Sequence, residues 1–187
     1  MKRIARCLPL LLLASLALPA AAAENATQAP ATDHPEIRAV IESFRTSIIQ
    51  RDKPRFLALF LQPEMQWQSV VGDASLAQIK AKHPEAVKAR IKPDNNPTAF
   101  IDGIVKSKST SEETFDNIRI DADADVATVN FDYKFLSDGR ETNRGQESWL
   151  LVRNEDGWKI TTLAYSYNLP PEKYTLVDFA TRTIIYY

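Results

Sequence analysis

The chain predicts an α+β domain in which helices cover one face of an antiparallel sheet. Three observations carry this expectation. Segments with apolar residues at helical spacing crowd the first half, and nearly everything from Thr114 to Tyr167 alternates with a period of two. Short Asp, Ala, Asn and Gly turns separate the alternating runs.

Lys2, Arg3 and Arg6 precede an apolar run from Leu8 to Leu18, followed by the small residues of "PAAAAEN". That order predicts a secretory signal peptide over residues 1–23, and the run is shorter than the roughly 20 residues that span a bilayer. Cys7 lies before the apolar run, so it is not placed as the acylated cysteine of a lipoprotein. Cleavage after Ala23 leaves 164 of 187 residues, none of them cysteine, and moves the formal charge from −1 to −4. Disulfides, thiol catalysis and cysteine-ligated metals are thereby excluded from the mature chain. No Lys/Arg cluster tracks a phosphate backbone, which argues against nucleic acid as a partner. With no second long apolar run, no membrane segment is expected after cleavage, and the protein is expected in the periplasm or secreted.

Residues 24–35, rich in Ala, Thr and Pro, read as a flexible linker. The folded domain is expected over 36–168. Asp33 is expected to cap a first helix in which Ile37, Val40, Ile41, Phe44 and Ile48 form one apolar stripe. A short second helix follows Asp52 and buries Phe56, Leu57 and Phe60. "EMQWQSVV" alternates as a strand, with Met65, Trp67, Ser69 and Val71 on one face. Asp73 is expected to cap a third helix that ends at His83-Pro84, and Asn96-Pro97 to open a fourth with Phe100, Ile101, Ile104 and Val105 on one side.

Four strands are then expected: "TFDNIRI" from Thr114, "VATVNFDYKFL", "NRGQESWLLVR" and "WKITTLAYSY". In the second, Val129, Phe131, Tyr133 and Phe135 alternate with polar residues, so this face must look at the helices. In "WLLV", Trp149 to Val152, both faces are apolar, which predicts a cover on the outer side as well. The tail over 169–187 is apolar and β-branched; it is one possible cover, by packing on the sheet or in a dimer interface.

Phe115 to Ser166, with its "VATV" strand, Asp-Gly turn and closing "GWKI" strand, resembles the nuclear transport factor 2-like superfamily. The likeness is to its SnoaL-like and lumazine-binding branch. The resemblance implies a strongly curved, cone-shaped sheet wrapped around the N-terminal helices, with a pocket at the open end. It also implies a choice that fold alone does not make, because the superfamily holds ketosteroid isomerases, polyketide cyclases and scytalone dehydratase beside members without a catalytic role. Where the branch often carries His-Cys before a glycine, this chain has Asn143-Arg144 before Gly145, so chemistry tied to those side chains is not carried over.

Enzymes of that fold require an acid or base inside the cone. Regular alternation along the last strand places Trp158, Ile160, Thr162, Ala164 and Ser166 on one face, and none is a useful base. Tyr133 is the best-placed polar group, and Trp67, Phe131, Tyr133, Phe135 and Trp149 are the candidates to line a pocket. Asp132 and Glu147 are read as solvated charges on the outer face. His34 adjoins the linker and His83 precedes a proline at a helix break, so neither is placed for catalysis. "DADAD", Asp121 to Asp125, has the opening spacing of a calcium loop but Val126 in place of its glycine; it is read as a polar hairpin turn. No metal and no cofactor is expected.

The leading expectation is an exported, non-catalytic domain whose cone binds a small apolar or aromatic molecule, or which self-associates as a homodimer through its sheet. The alternative is a cofactor-independent isomerase, dehydratase or cyclase using Tyr133 with a carboxylate turned inward by a bulge at Gly145. A pure assembly module is the third reading. Asp132 or Glu147 facing inward beside Tyr133, with a raised pKa, would favour the enzyme.

Overall fold

The computed structural model describes residues 33–170 and the backbone of two short strands, Leu176–Asp178 and Thr183–Ile185, which pair antiparallel with each other. The expected signal peptide and all but the end of the linker lie outside the described residues, as do the side chains of the tail.

Helix α1, Pro35–Gln50, buries Ile37, Val40, Ile41, Phe44 and Ile48 as the stripe predicts. Its N-cap is His34, which makes no side-chain capping bond; the expected cap, Asp33, instead pairs with Arg38 at 2.9 Å on the exposed surface. A short helix α2, Lys53–Leu57, follows, and here Asp52 does cap, accepting the Arg55 N–H at 3.0 Å. Strand β1, Gln68–Val71, is shorter than the alternation suggests. Helix α3, Asp73–Lys82, takes Gly72 rather than Asp73 as its N-cap and stops at His83, before Pro84. In α4, Pro97–Lys106, Asn96 Oδ1 accepts the Ala99 N–H at 2.8 Å, and Ile101 and Ile104 are buried while Val105 is exposed.

Four long strands complete the domain: β2 Ser111–Ala122, β3 Val126–Ser137, β4 Arg140–Asn154 and β5 Gly157–Tyr167. They form one sheet in the order β1-β5-β4-β3-β2, antiparallel except for the parallel β1–β5 edge. The β3–β4 hairpin turns on Asp138 and Gly139, both at positive φ, a backbone conformation in which glycine is unstrained. The β2–β3 turn closes on Asp123, whose carboxylate accepts the N–H groups of Asp125 and Val126 at 2.8 and 2.7 Å. "DADAD" is thus a hairpin turn.

Bulges interrupt the ladder in β2 between Asp116 and Arg119, in β4 at Thr142 and in β5 at Thr161. A bulge bends a strand and deepens its twist, which curls the sheet around the helices. Phe44 sits at the centre of the enclosed core, its ring 4.9 Å from those of both Phe56 and Trp149 and 6.0 Å from that of Phe115. Burial of each such ring stabilises the fold by roughly 2–3 kcal/mol. On the outer face Leu150 is 39% exposed, so the described residues cover "WLLV" on its inner side only.

Candidate functional site

The site is made where the bulges re-aim side chains. Along β5, Leu150 pairs with Thr162 but Leu151 pairs with Ile160, so Thr161 is the extra residue. Inward positions then run Trp158, Ile160, Leu163, Tyr165 and Tyr167. This corrects the expected face: Thr162, Ala164 and Ser166 leave it, and two tyrosines enter. A bulge moves every later side chain to the opposite face.

Glu147 stands two residues before Trp149 on an unbroken stretch of β4, so both point inward, and Glu147 is only 5% exposed. The expectation of a solvated outer-face charge is overturned for it. No bulge at Gly145 is involved, since Glu147↔Tyr165 and Arg144↔Asn168 keep one register. Across the sheet β2 begins at Ser111, three residues before its expected start, and its added portion brings Glu113, also 5% exposed, to the same interior. Asp132 does remain outside, where Asn117 Nδ2 and Gln146 Nε2 donate to it at 2.6 and 3.0 Å and hold its pKa below the usual carboxylate range.

Glu113 and Glu147 line one apolar-walled cavity, near enough for each to alter the other's proton affinity. Burial, then the negative charge of its neighbour, raises Glu113 well above the ordinary carboxylate value. Burial also pushes Glu147 up to about 7, although the Trp149 indole N–H, donating to its Oε1 at 2.9 Å, and the neighbouring Glu113 both favour the charged form. Burial therefore holds both carboxyls toward the neutral form, and the two titrate as a pair.

Around this pair lies a cavity of about 160 Å³. Phe44, Trp67, Phe100, Phe135 and Leu163 wall it, and Tyr133, Asn143, Tyr165 and Tyr167 supply its other polar groups. Of the five sequence candidates, Trp67, Tyr133 and Phe135 line the cavity. Phe131 and Trp149 lie in the packed core outside its lining, with ring centroids 5.0 Å apart, although Trp149 serves the site through its bond to Glu147. His34 and His83 are not among the lining residues.

The Tyr133 hydroxyl donates toward two acceptors, Asn143 Oδ1 and the Ser166 carbonyl, each at 3.0 Å. Burial and the nearby carboxyl pair raise its pKa, so it stays a neutral donor. Tyr133 lies directly opposite Gly145 on the neighbouring strand, and a Cβ at Gly145 would come within 1.9 Å of the same Ser166 carbonyl oxygen. Only glycine permits this close approach of β4 to β5. Tyr165, also raised by burial, reaches Asn95 Oδ1 at 3.3 Å. The indole N–H of Trp67 is buried and has no partner among the described residues.

Sequence reasoning missed Glu113, Tyr165 and Tyr167. A period-two signal was present for Glu113, two before Phe115, as it was for Glu147, two before Trp149. For the tyrosines the bulge erases it.

No family model matches the chain, and no curated protein matches it. Solved structures do. A candidate aromatic ring hydroxylase from Novosphingobium aromaticivorans is 16% identical with a TM-score of 0.51, the match covering 76% of this chain and 94% of that one. A nuclear transport factor 2-like superfamily protein from Salmonella enterica serovar Typhimurium is 19% identical with a TM-score of 0.50, over 73% and 92%. A candidate dehydratase of the nuclear transport factor 2-like family from Streptomyces avermitilis is 14% identical with a TM-score of 0.50, over 71% and 94%. At these identities the likeness is one of fold: this chain has the nuclear transport factor 2-like fold, as its last three long strands imply.

Proposed function

We propose that this nuclear transport factor 2-like chain is a cofactor-independent acid/base catalyst that takes a small aromatic or alicyclic molecule into the cone and moves a proton on it, as in isomerisation or dehydration. The observation that carries this reading is the buried Glu113–Glu147 pair facing an aromatic-walled cavity. A carboxylate titrating near neutrality accepts a proton effectively, and its protonated neighbour can return one. Trp67 contributes its ring to the wall of the same space.

The leading expectation from sequence, a non-catalytic binder, stands as the second reading on one observation. The Tyr133 hydroxyl, which the enzyme reading would aim at a substrate oxygen, is already engaged with Asn143 and Ser166. A single experiment separates the two. 2-Indanone, small and aromatic with acidic C–H groups beside a carbonyl, is incubated with the protein in deuterium oxide, and α-hydrogen exchange is followed by NMR. Catalysis predicts exchange well above buffer, reduced at least tenfold in Glu147→Gln. Binding of 2-indanone without added exchange supports the non-catalytic reading, and absence of binding rejects both.

Two finer proposals rest on sequence and one on the sheet's outer face. The SnoaL-like branch is supported by the "VATV", Asp-Gly and "GWKI" segments, and export by the order of charged, apolar and small residues over 1–23. Homodimerisation through the sheet is supported by Leu150 and Val126, both exposed on its outer face.

A further inference from the structure

A second and larger cavity, of about 530 Å³, adjoins the first. It lies on the same face of the sheet. Ser69 and Val71 of β1 share the parity of Trp67 just before it, and Tyr165 and Tyr167 share that of Leu163 on β5; the two tyrosines line both cavities. Leu76 and Ile79 of α3 and the segment from His83 to Lys92 form its remaining walls. That segment is pinned to β1: the Val71 N–H donates to the Lys88 carbonyl at 2.8 Å, and Ala89 bridges to Val70.

The charge of this second space differs from that of the first. Lys88, Arg90 and Lys92 line it, against Glu85 as the one acidic residue. Lys88 is neutralised by Asp73 at 2.6 Å, and Glu85 lies 3.6 Å from His83. Arg90 and Lys92 have no ion-pair partner among the described residues. In a chain of net charge −1, two unpaired cations therefore stand in a concave space that shares Tyr165 and Tyr167 as walls with an aromatic-walled cavity holding carboxyl groups. Low-dielectric walls concentrate the field of such charges.

We propose that the ligand is bipartite: a ring-sized head in the carboxyl cavity, and an anionic tail, carboxylate or phosphate, that passes Tyr165 and Tyr167 to reach Arg90 and Lys92. The proposal rests on the reading of the cone as a ligand cavity and adds the class of ligand. The two parts are mutually exclusive in placement. An anion in the first cavity would face Glu113 and Glu147, whereas the second offers it two uncommitted cations, so charge alone orients the molecule.

The test uses phenol, 4-phenylbutan-1-ol and 4-phenylbutyl phosphate as probes, with affinities from titration calorimetry at low and moderate salt. The phosphate ester is expected to bind at least tenfold tighter than the alcohol, an advantage that shrinks with salt. In Arg90→Gln/Lys92→Gln, both at exposed positions, that advantage should fall below threefold while phenol binds as before. Equal affinity for ester and alcohol, or an advantage untouched by the double variant, overturns the tail assignment and leaves the cavity reading intact. Failure of phenol to bind removes the cavity reading, and the bipartite ligand with it.

Discussion

Raising the pH should destabilise this protein through its carboxyl pair, and the size of the effect follows from the burial of Glu147. Its pKa moves from an unfolded value near 4.5 up to about 7 in the fold, and each tenfold gain in proton affinity corresponds to about 1.4 kcal/mol. Because the folded value is the higher, the fold holds a proton that the unfolded chain has lost. Stability from this group is therefore complete below about pH 4.5 and declines as the pH rises through 7. Glu147 accounts for about 3 kcal/mol over that window, and Glu113, raised by burial and by the charge of its neighbour, acts in the same direction. The assay is urea unfolding at intervals from pH 4.5 to pH 8.5 on the wild type and on Glu113→Gln/Glu147→Gln, which keeps the shapes and removes both titrations. The difference in unfolding free energy, variant minus wild type, should grow by at least about 3 kcal/mol across the series. Carboxylates outside the cavity, such as Asp102 and Asp138, are common to both proteins and cancel. Parallel profiles would refute the claim that the two carboxyls are buried together.

Gly145→Ala should cost roughly 1–3 kcal/mol in unfolding free energy, because the added methyl meets the Ser166 carbonyl, which is backbone and cannot swing away; chemical denaturation measures this directly. Asn96→Ala removes the side-chain acceptor of the Ala99 N–H and should lower stability by about 1 kcal/mol, with Asn96→Gly costing less, as read by the same method.

Much of the architecture was legible because it depends on periodicity. The stripe from Ile37 to Ile48, the alternation from Val129 to Phe135 and the Asp-Gly hairpin are local patterns, and each became the element expected. Helix starts were less legible. Asp33 and Asp73 both suited an N-cap, but the neighbouring His34 and Gly72 take that position, which leaves the two side chains to pair with Arg38 and Lys88 instead. The site was legible only in part. Trp67, Tyr133 and Phe135 were placed by alternation, whereas Glu113 fell before the expected strand start and Glu147 was assigned outward because carboxylates seldom bury unless paired. The partner that allows that burial lies on another strand, 34 residues away in sequence, and no local pattern announces it.

What the sequence determined by itself is the class of fold: apolar spacing selects helix or strand residue by residue, and the order of helices followed by strands leaves few ways to bury both apolar faces. What only the tertiary structure decided is the chemistry of the interior. Side-chain direction after a bulge depends on how two strands register, as Thr161 shows by turning Tyr165 and Tyr167 inward. The proton affinity of Glu147 depends on the dielectric around it and on Glu113, quantities that exist only once β2 and β4 stand in one curved sheet.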